Sequence, residues 1–157
     1  FKKTKRVIKL VIIIFITTII VGCGNTTTKK DVKKNNNNDV TTKESVDNMK
    51  VLINDKEYII KLEDNDTVKK LITLLPIEVE MKELNGNEKY IYLDHDLPTN
   101  SISPKHINKG DVYLYGDNCL VIFYKDFDTT YTYTKIGHID NLEDLGNNNI
   151  KVKLFYR

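Results

Sequence analysis

Beyond residue 48 the chain alternates hydrophobic and polar positions with a period of two. In "MKVLIN", Met49, Val51 and Ile53 face one way and Lys50, Leu52 and Asn54 the other; in "EYIIKLE", Tyr58, Ile60 and Leu62 share a face. Two such runs joined across Asn54-Asp55-Lys56 predict a hairpin. The period then changes once. In "DNDTVKKLITLLP", Val68, Leu71, Ile72 and Leu75 recur at i, i+3, i+4 and i+7 behind a capping Asp66 or a neighbour, and Pro76 closes the run. That spacing predicts the one helix. Alternation resumes with Ile77, Val79 and Met81 against Glu78, Glu80 and Lys82, and the turn pair Asn85-Gly86 leads into "EKYIYL", which predicts two further strands. A polar loop from Asp94 to Lys109, punctuated by Pro98 and Pro104, precedes "DVYLYG", "CLVIFYK" and "TYTYTKIGHI", read as three consecutive strands, and "NIKVKLFY" reads as the last. About eight short strands and one short helix within residues 48–157 predict a mainly β domain, a small closed or nearly closed barrel that leaves few strand edges to protect.

Ahead of this domain the pattern differs in kind. Lys2, Lys3, Lys5, Arg6 and Lys9 precede an uncharged apolar run from Leu10 to Gly22. The run is shorter than the ~20 residues that cross a bilayer as a helix, and it suits the apolar centre of a secretory signal peptide. It ends in "IIVGC", Ile19 to Cys23, which resembles the lipobox of bacterial lipoproteins. The resemblance implies that residues 1–22 are a lipoprotein signal peptide and that Cys23 is acylated and becomes the new N-terminus. Two acyl chains suffice for stable anchoring, where one is marginal. Residues 23–47 then comprise the lipidated cysteine and a tether, "GNTTTKKDVKKNNNNDVTTKESVD", with too few apolar residues to fold. The expected location is the outer face of a cell membrane, held by lipid. Richness in Asn, Lys and Ile without any Ala suggests an AT-rich genome and a Gram-positive bacterium.

Loss of that peptide changes the charge balance. Removing its five basic residues from 24 leaves 19 against 22 acidic residues, a net charge of −3. No basic stripe remains downstream, so no nucleic-acid partner is expected. Cys119 becomes the lone free thiol; within "NCLVIFY" it is expected to be buried and inert, with no disulfide. His95, His106 and His138 lack the paired spacing of a zinc site, and the neighbours in "DHD", Asp94 to Asp96, point to opposite sides of an extended chain. No metal and no cofactor are expected. Glu78/Glu80 and Asp126/Asp128 read as exposed strand faces, and no catalytic residue is assigned. A monomer is expected.

The wording of two stretches, "LNGNEKYIYL" and "LPTNSISPKHINKGDVYLYGDNCLVIFYKDFDTTYTYTKIGHI", resembles the bacterial cyclophilin-like fold proteins, and the resemblance covers Lys50 to Phe155. It implies a small barrel of the cyclophilin kind with a short helix plugging one end, and mostly no established activity. True cyclophilins twist an X-Pro amide with an Arg guanidinium beside a Gln, a His and an apolar pocket often edged by Trp. This chain has no Gln and no Trp, and its arginines are Arg6 and Arg157. A lysine does not supply the planar fork. The expectation therefore leans against an enzyme.

The aromatic residues divide by face. In "CLVIFYK", Cys119, Val121 and Phe123 lie on one side and Leu120, Ile122 and Tyr124 on the other, as in a strand buried twice. Tyr131, Tyr133 and Lys135 share a face opposite threonines, and Tyr90 and Tyr92 stand opposite Ile91 and Leu93. These five, Tyr90, Tyr92, Tyr131, Tyr133 and Lys135, form a candidate groove for an extended peptide or a planar small molecule; otherwise they are a tyrosine-rich barrel surface. The leading reading is a membrane-anchored lipoprotein presenting a non-catalytic binding module. The alternatives are a divergent peptidyl-prolyl isomerase or folding factor at the cell surface, and a docking lipoprotein without a pocket.

Overall fold

The computed structural model describes residues 48–156; the features assigned to residues 1–47, Cys23 included, lie outside the described residues. Ten strands and one helix occur in the order β1 (Asn48–Ile53), β2 (Lys56–Leu62), α1 (Asp66–Ile72), β3 (Ile77–Leu84), β4 (Glu88–Tyr92), β5 (His106–Ile107), β6 (Asp111–Tyr115), β7 (Cys119–Phe123), β8 (Phe127–Asp128), β9 (Thr134–Ile139) and β10 (Ile150–Phe155). Eight of them close into an antiparallel barrel in the order β1-β10-β3-β4-β7-β6-β9-β2, with β2 pairing back onto β1. The fold is mainly β with one short helix, as the periodicity predicts.

Local chemistry sets the connections. The β1–β2 hairpin turns through Asn54 and Asp55, both at positive φ (46° and 67°), which matches the two-residue turn that follows the twist of paired strands. Between β3 and β4 the turn has three residues, Asn85 to Asn87, with Asn85 and Gly86 again at positive φ (57° and 72°), and the Gly86 amide donates to Glu83 Oε1 at 2.6 Å. The helix is capped by Asn65, the neighbour of Asp66: its Oδ1 accepts from the Val68 amide at 2.9 Å. The helix ends at Ile72, so Leu75, expected on its apolar face, packs against the core from the following turn.

Two predicted stretches are corrected. The strand "TYTYTKIGHI" begins only at Thr134; Tyr131 precedes it in irregular chain, and Tyr133 makes an isolated bridge with Ile102. The polar loop holds β5, which pairs with β8 through His106↔Asp128 and Ile107↔Phe127. β5 and β8 are two residues each, too short to show a period, whereas residues 130–133 alternate like a strand without forming one.

The barrel encloses one apolar cluster built from alternate positions, including Met49, Val51 and Ile53 from β1, Leu120 and Ile122 from β7, and Ile150, Val152 and Leu154 from β10; α1 adds Val68 and Leu71. Facing outward, Lys151 pairs across strands with Glu80 and Lys153 with Glu78, whose Nζ and Oε2 lie 3.4 Å apart. An apolar interior with a charged exterior is the reverse of a transmembrane barrel. A second cluster lies outside the wall, where Ile107, Tyr113, Cys119, Val121, Phe123 and Tyr133 pack with Tyr90 and Phe127.

The largest buried polar side chain among the described residues is Lys89. On β4 the alternation puts Lys89 on the face of Ile91, opposite Ile122 of β7, and its side chain is fully buried. Its ammonium donates to the carbonyls of Gly146 (2.5 Å) and Asn148 (2.8 Å) and to Glu83 Oε2. The Tyr124 hydroxyl donates to the same Glu83 oxygen at 2.8 Å, and the Lys89 Nζ stands 4.7 Å from the Tyr124 ring centroid. Burial alone raises the Glu83 pKa, but hydrogen bonds from Lys89, Tyr124 and the Gly86 amide outweigh it and hold the value below the usual 4.5. A depressed carboxylate stabilises the fold above its unfolded-state pKa and loses that contribution as pH falls through the folded one. Lys89→Ala is therefore expected to cost about 3–5 kcal/mol in denaturant unfolding at pH 7, because it strands the Glu83 charge. The gap from the unaltered protein should narrow on acidification below 4.5, as Glu83 takes up a proton; a gap that stays constant would contradict this account.

Candidate binding groove

The outer face of β4, β7 and β6 carries a groove of about 260 Å³. Strand register builds it. Tyr90 of β4 stands opposite Val121 of β7, and Tyr92 opposite Cys119; on the other side Tyr115 of β6 is also paired with Cys119. Because side chains alternate, Glu88, Tyr90 and Tyr92 project outward together while Lys89 and Ile91 project in. Cys119 and Val121 form the floor, β4 supplies one wall, and Tyr115, Tyr131 and Tyr133 supply the other; Leu84 and Asn85 of the β3–β4 turn close one end beside Glu88.

The second wall depends on irregular chain held by specific bonds. Tyr133 and Ile102 exchange backbone hydrogen bonds of 2.9 Å each way. The Asn100 amide donates to Thr134 Oγ1 at 2.9 Å, and the Tyr131 amide donates to Thr129 Oγ1 at 3.1 Å. Tyr133 is thereby buried against Tyr113 and Phe123, with centroids 5.5 and 5.6 Å away. Tyr131 stands free and meets Tyr115 nearly at right angles (6.0 Å, 87°). Tyr90 and Tyr92 form a matching perpendicular pair on the opposite wall (5.9 Å, 82°).

The structure thus brings Tyr90, Tyr92, Tyr131 and Tyr133 into one depression. Lys135 is not among its lining residues: it pairs with Tyr113 across the β6–β9 register, and its Nζ lies 3.5 Å from Glu63 Oε1. Tyr115 and Glu88 complete the lining and escape the sequence reading. Glu88 was legible as the residue two before Tyr90, and Tyr115 as the partner of Cys119 across the short "YGDNC" turn. Of seven large hydrophobic side chains exposed among the described residues, Leu84 (42%), Tyr92 (62%), Tyr115 (43%) and Tyr131 (61%) all border the groove. Contiguous exposed apolar surface of this kind marks interaction sites.

Glu88 is the one charged side chain of the lining. Burial, reinforced by the nearby Glu83 charge, raises its pKa to about 7. Burial likewise pushes the Cys119 thiol up to about 11, with Glu88 adding to the effect. Among the described residues no group of three or more His, Cys, Asp or Glu is placed to hold a metal ion.

A closed eight-stranded antiparallel barrel with a single helix and a tyrosine-walled groove on its outer face defines the class of protein. The chain belongs to the cyclophilin-like family, whose model matches residues 51–154. Its fold is similar to the solution structure of a hypothetical protein from Archaeoglobus fulgidus, with a TM-score of 0.53 and 17% identity over 70% of this chain and 94% of that one. Among curated proteins none matches the chain.

The thiol at the groove floor provides a check on the site's polarity. With its pKa near 11, Cys119 holds roughly one thiolate per thousand molecules at pH 8. Iodoacetamide at pH 8 should leave the folded protein's Cys119 unmodified, as read by peptide mass mapping, and should alkylate it fully in denaturant. Rapid modification of the native form would show that the floor is open and polar.

Proposed function

We propose that the chain is a membrane-anchored, extracytoplasmic lipoprotein whose cyclophilin-like domain is a non-catalytic binding module for an extended peptide or a small planar ligand. The observation that carries the binding reading is the convergence of five tyrosines from two strands and one irregular segment on a single groove. Tyrosine supplies large contact area at low entropic cost, with a polar tip for orientation. Against isomerase activity stands the lining itself: it holds no arginine, glutamine or lysine, so nothing there offers a charged fork to a twisting amide. A tyrosine hydroxyl gives one neutral hydrogen bond worth a net ~0.5–1.5 kcal/mol, well short of the several kcal/mol an efficient catalyst supplies.

The test is NMR titration with extended tetrapeptides, X-Pro sequences among them, and with planar aromatic probes. Binding should perturb Tyr92, Tyr115 and Tyr131, and Tyr131→Ala or Tyr92→Ala should weaken it about tenfold, as for an interface anchor worth more than ~1 kcal/mol. Exchange between cis and trans prolyl isomers should stay at its uncatalysed rate with the protein present. Accelerated exchange that vanishes on replacing the groove tyrosines by Phe would replace this reading with catalysis.

The anchoring part rests on the "IIVGC" stretch. Cys23→Ala should abolish processing or membrane retention while the domain keeps its fold, since every strand pairing of the barrel lies within residues 48–156. A Cys23→Ala chain processed and extracted from membranes by detergent like the unaltered one would refute the lipid anchor.

A further inference from the structure

The groove has a charge without a counter-charge. None of the ion pairs among the described residues includes Glu88, although the adjacent Lys89 is fully buried on the other side of the same strand. The period of two makes that pairing impossible: consecutive β4 side chains leave the wall in opposite directions. A half-buried carboxylate with no partner is costly to keep charged, and either a proton or a bound cation offsets the cost. The surrounding rings fit the same occupant. Aromatic faces are negative and attract cations, and the cation–π contacts among the described residues involve Tyr58 and Tyr124, not one of the five groove tyrosines. Each wall holds a perpendicular ring pair, so a face and an edge lie side by side. The lining offers an anionic ligand no counter-charge, because it includes no Lys, Arg or His.

Resting on the binding-module reading, we propose that the groove selects ligands bearing an ammonium group, seated among the tyrosine rings with Glu88 as its counter-charge. The ammonium is either that of a free small amine or that of a lysine side chain in an extended peptide; both present the same compact, positively charged end to the same rings.

The titratable groups that face Glu88 are Glu83 from β3, Cys119 from β7, Tyr133 ahead of β9 and the tyrosines sharing the groove. Glu83 is held below 4.5, Cys119 is raised to about 11, and burial raises Tyr133 above its usual 10. Between pH 6 and 8 the change in charge therefore falls on Glu88, with its pKa of about 7. Its ionised fraction rises about tenfold over that interval, and cation affinity rises with it.

Calorimetric titration of the full chain with n-butylammonium, n-butanol and n-butyrate, at pH 6 and pH 8, tests this directly. The expected result is n-butylammonium binding at least about tenfold tighter than n-butanol at pH 8, a roughly tenfold gain from pH 6 to 8, and no measurable n-butyrate binding. Glu88→Gln should remove both the preference and the pH dependence, and Tyr131→Ala, at an exposed position that the core does not need, should weaken n-butylammonium while leaving the fold intact by NMR. A capped lysine pentapeptide preferred over its norleucine counterpart assigns the ammonium to a peptide; n-butylammonium bound with no such peptide preference assigns it to a small amine. Equal binding of n-butanol and n-butylammonium, or preference for n-butyrate, overturns the cation proposal and leaves the binding module standing. No binding by any probe or peptide to a folded chain overturns both.

Discussion

Strand β7 is buried on both faces, and the architecture depends on that double burial. All five residues from Cys119 to Phe123 are withdrawn from water. Leu120 and Ile122 belong to the barrel interior, while Cys119, Val121 and Phe123 belong to the outer aromatic cluster. A strand with two apolar faces has to be covered twice. Closure of the barrel covers one face; the small β5–β8 sheet and the segment ahead of β9 cover part of the other. Over Cys119 and Val121 the second cover consists of tyrosine rings, and the space between those rings is the groove. The candidate site is thus a gap in the second cover, not a cavity within the barrel.

Glu88 and Lys89 show how one peptide unit divides its duties between the two sides of that wall. Lys89 turns inward and ties the 146–148 segment and Glu83 into the base of the barrel, with its charge compensated and its donors used. Glu88 turns outward into an apolar setting where nothing compensates it. The same alternation that forbids the two from meeting leaves one as a structural tie and the other as an open valence. Neither role depends on the residue type alone; both follow from which face of β4 the side chain occupies.

Much of this was legible in the sequence, and the reason is periodicity. The two faces of "CLVIFYK", the hairpin at Asn54, the helix behind Asp66 or a neighbour and the alternation of Tyr90 with Ile91 all rest on patterns of five residues or more. The barrel followed from them, and so did the shared face of Tyr90 and Tyr92. What was not legible lacked a period. β5 and β8 are two residues each, and Tyr131 and Tyr133 sit in irregular chain that only imitates strand alternation, which is why Lys135 was grouped with them although the strand proper carries it toward Glu63. Burial of Lys89 was hidden for another reason: a lysine at a strand's end reads as solvent-facing unless the carbonyls that receive it, from residues nearly sixty positions away, are already in place.

The two walls of the groove differ in how they are made. The β4 wall is part of the closed hydrogen-bonded ladder, so changing its path would disturb neighbouring strands all around the barrel. The opposite wall is mixed: Tyr115 belongs to β6 of the ladder, whereas Tyr131 and Tyr133 hang on the Ile102–Tyr133 exchange and a few side-chain contacts from Thr129 and Thr134. Around the exposed Tyr131 length and composition can change at little cost to the barrel, whereas Tyr133 is held in the outer aromatic cluster. Relatives sharing this scaffold are expected to diverge first along that rim, so that one rigid half preserves the ancestral frame while the other is rewritten for new ligands.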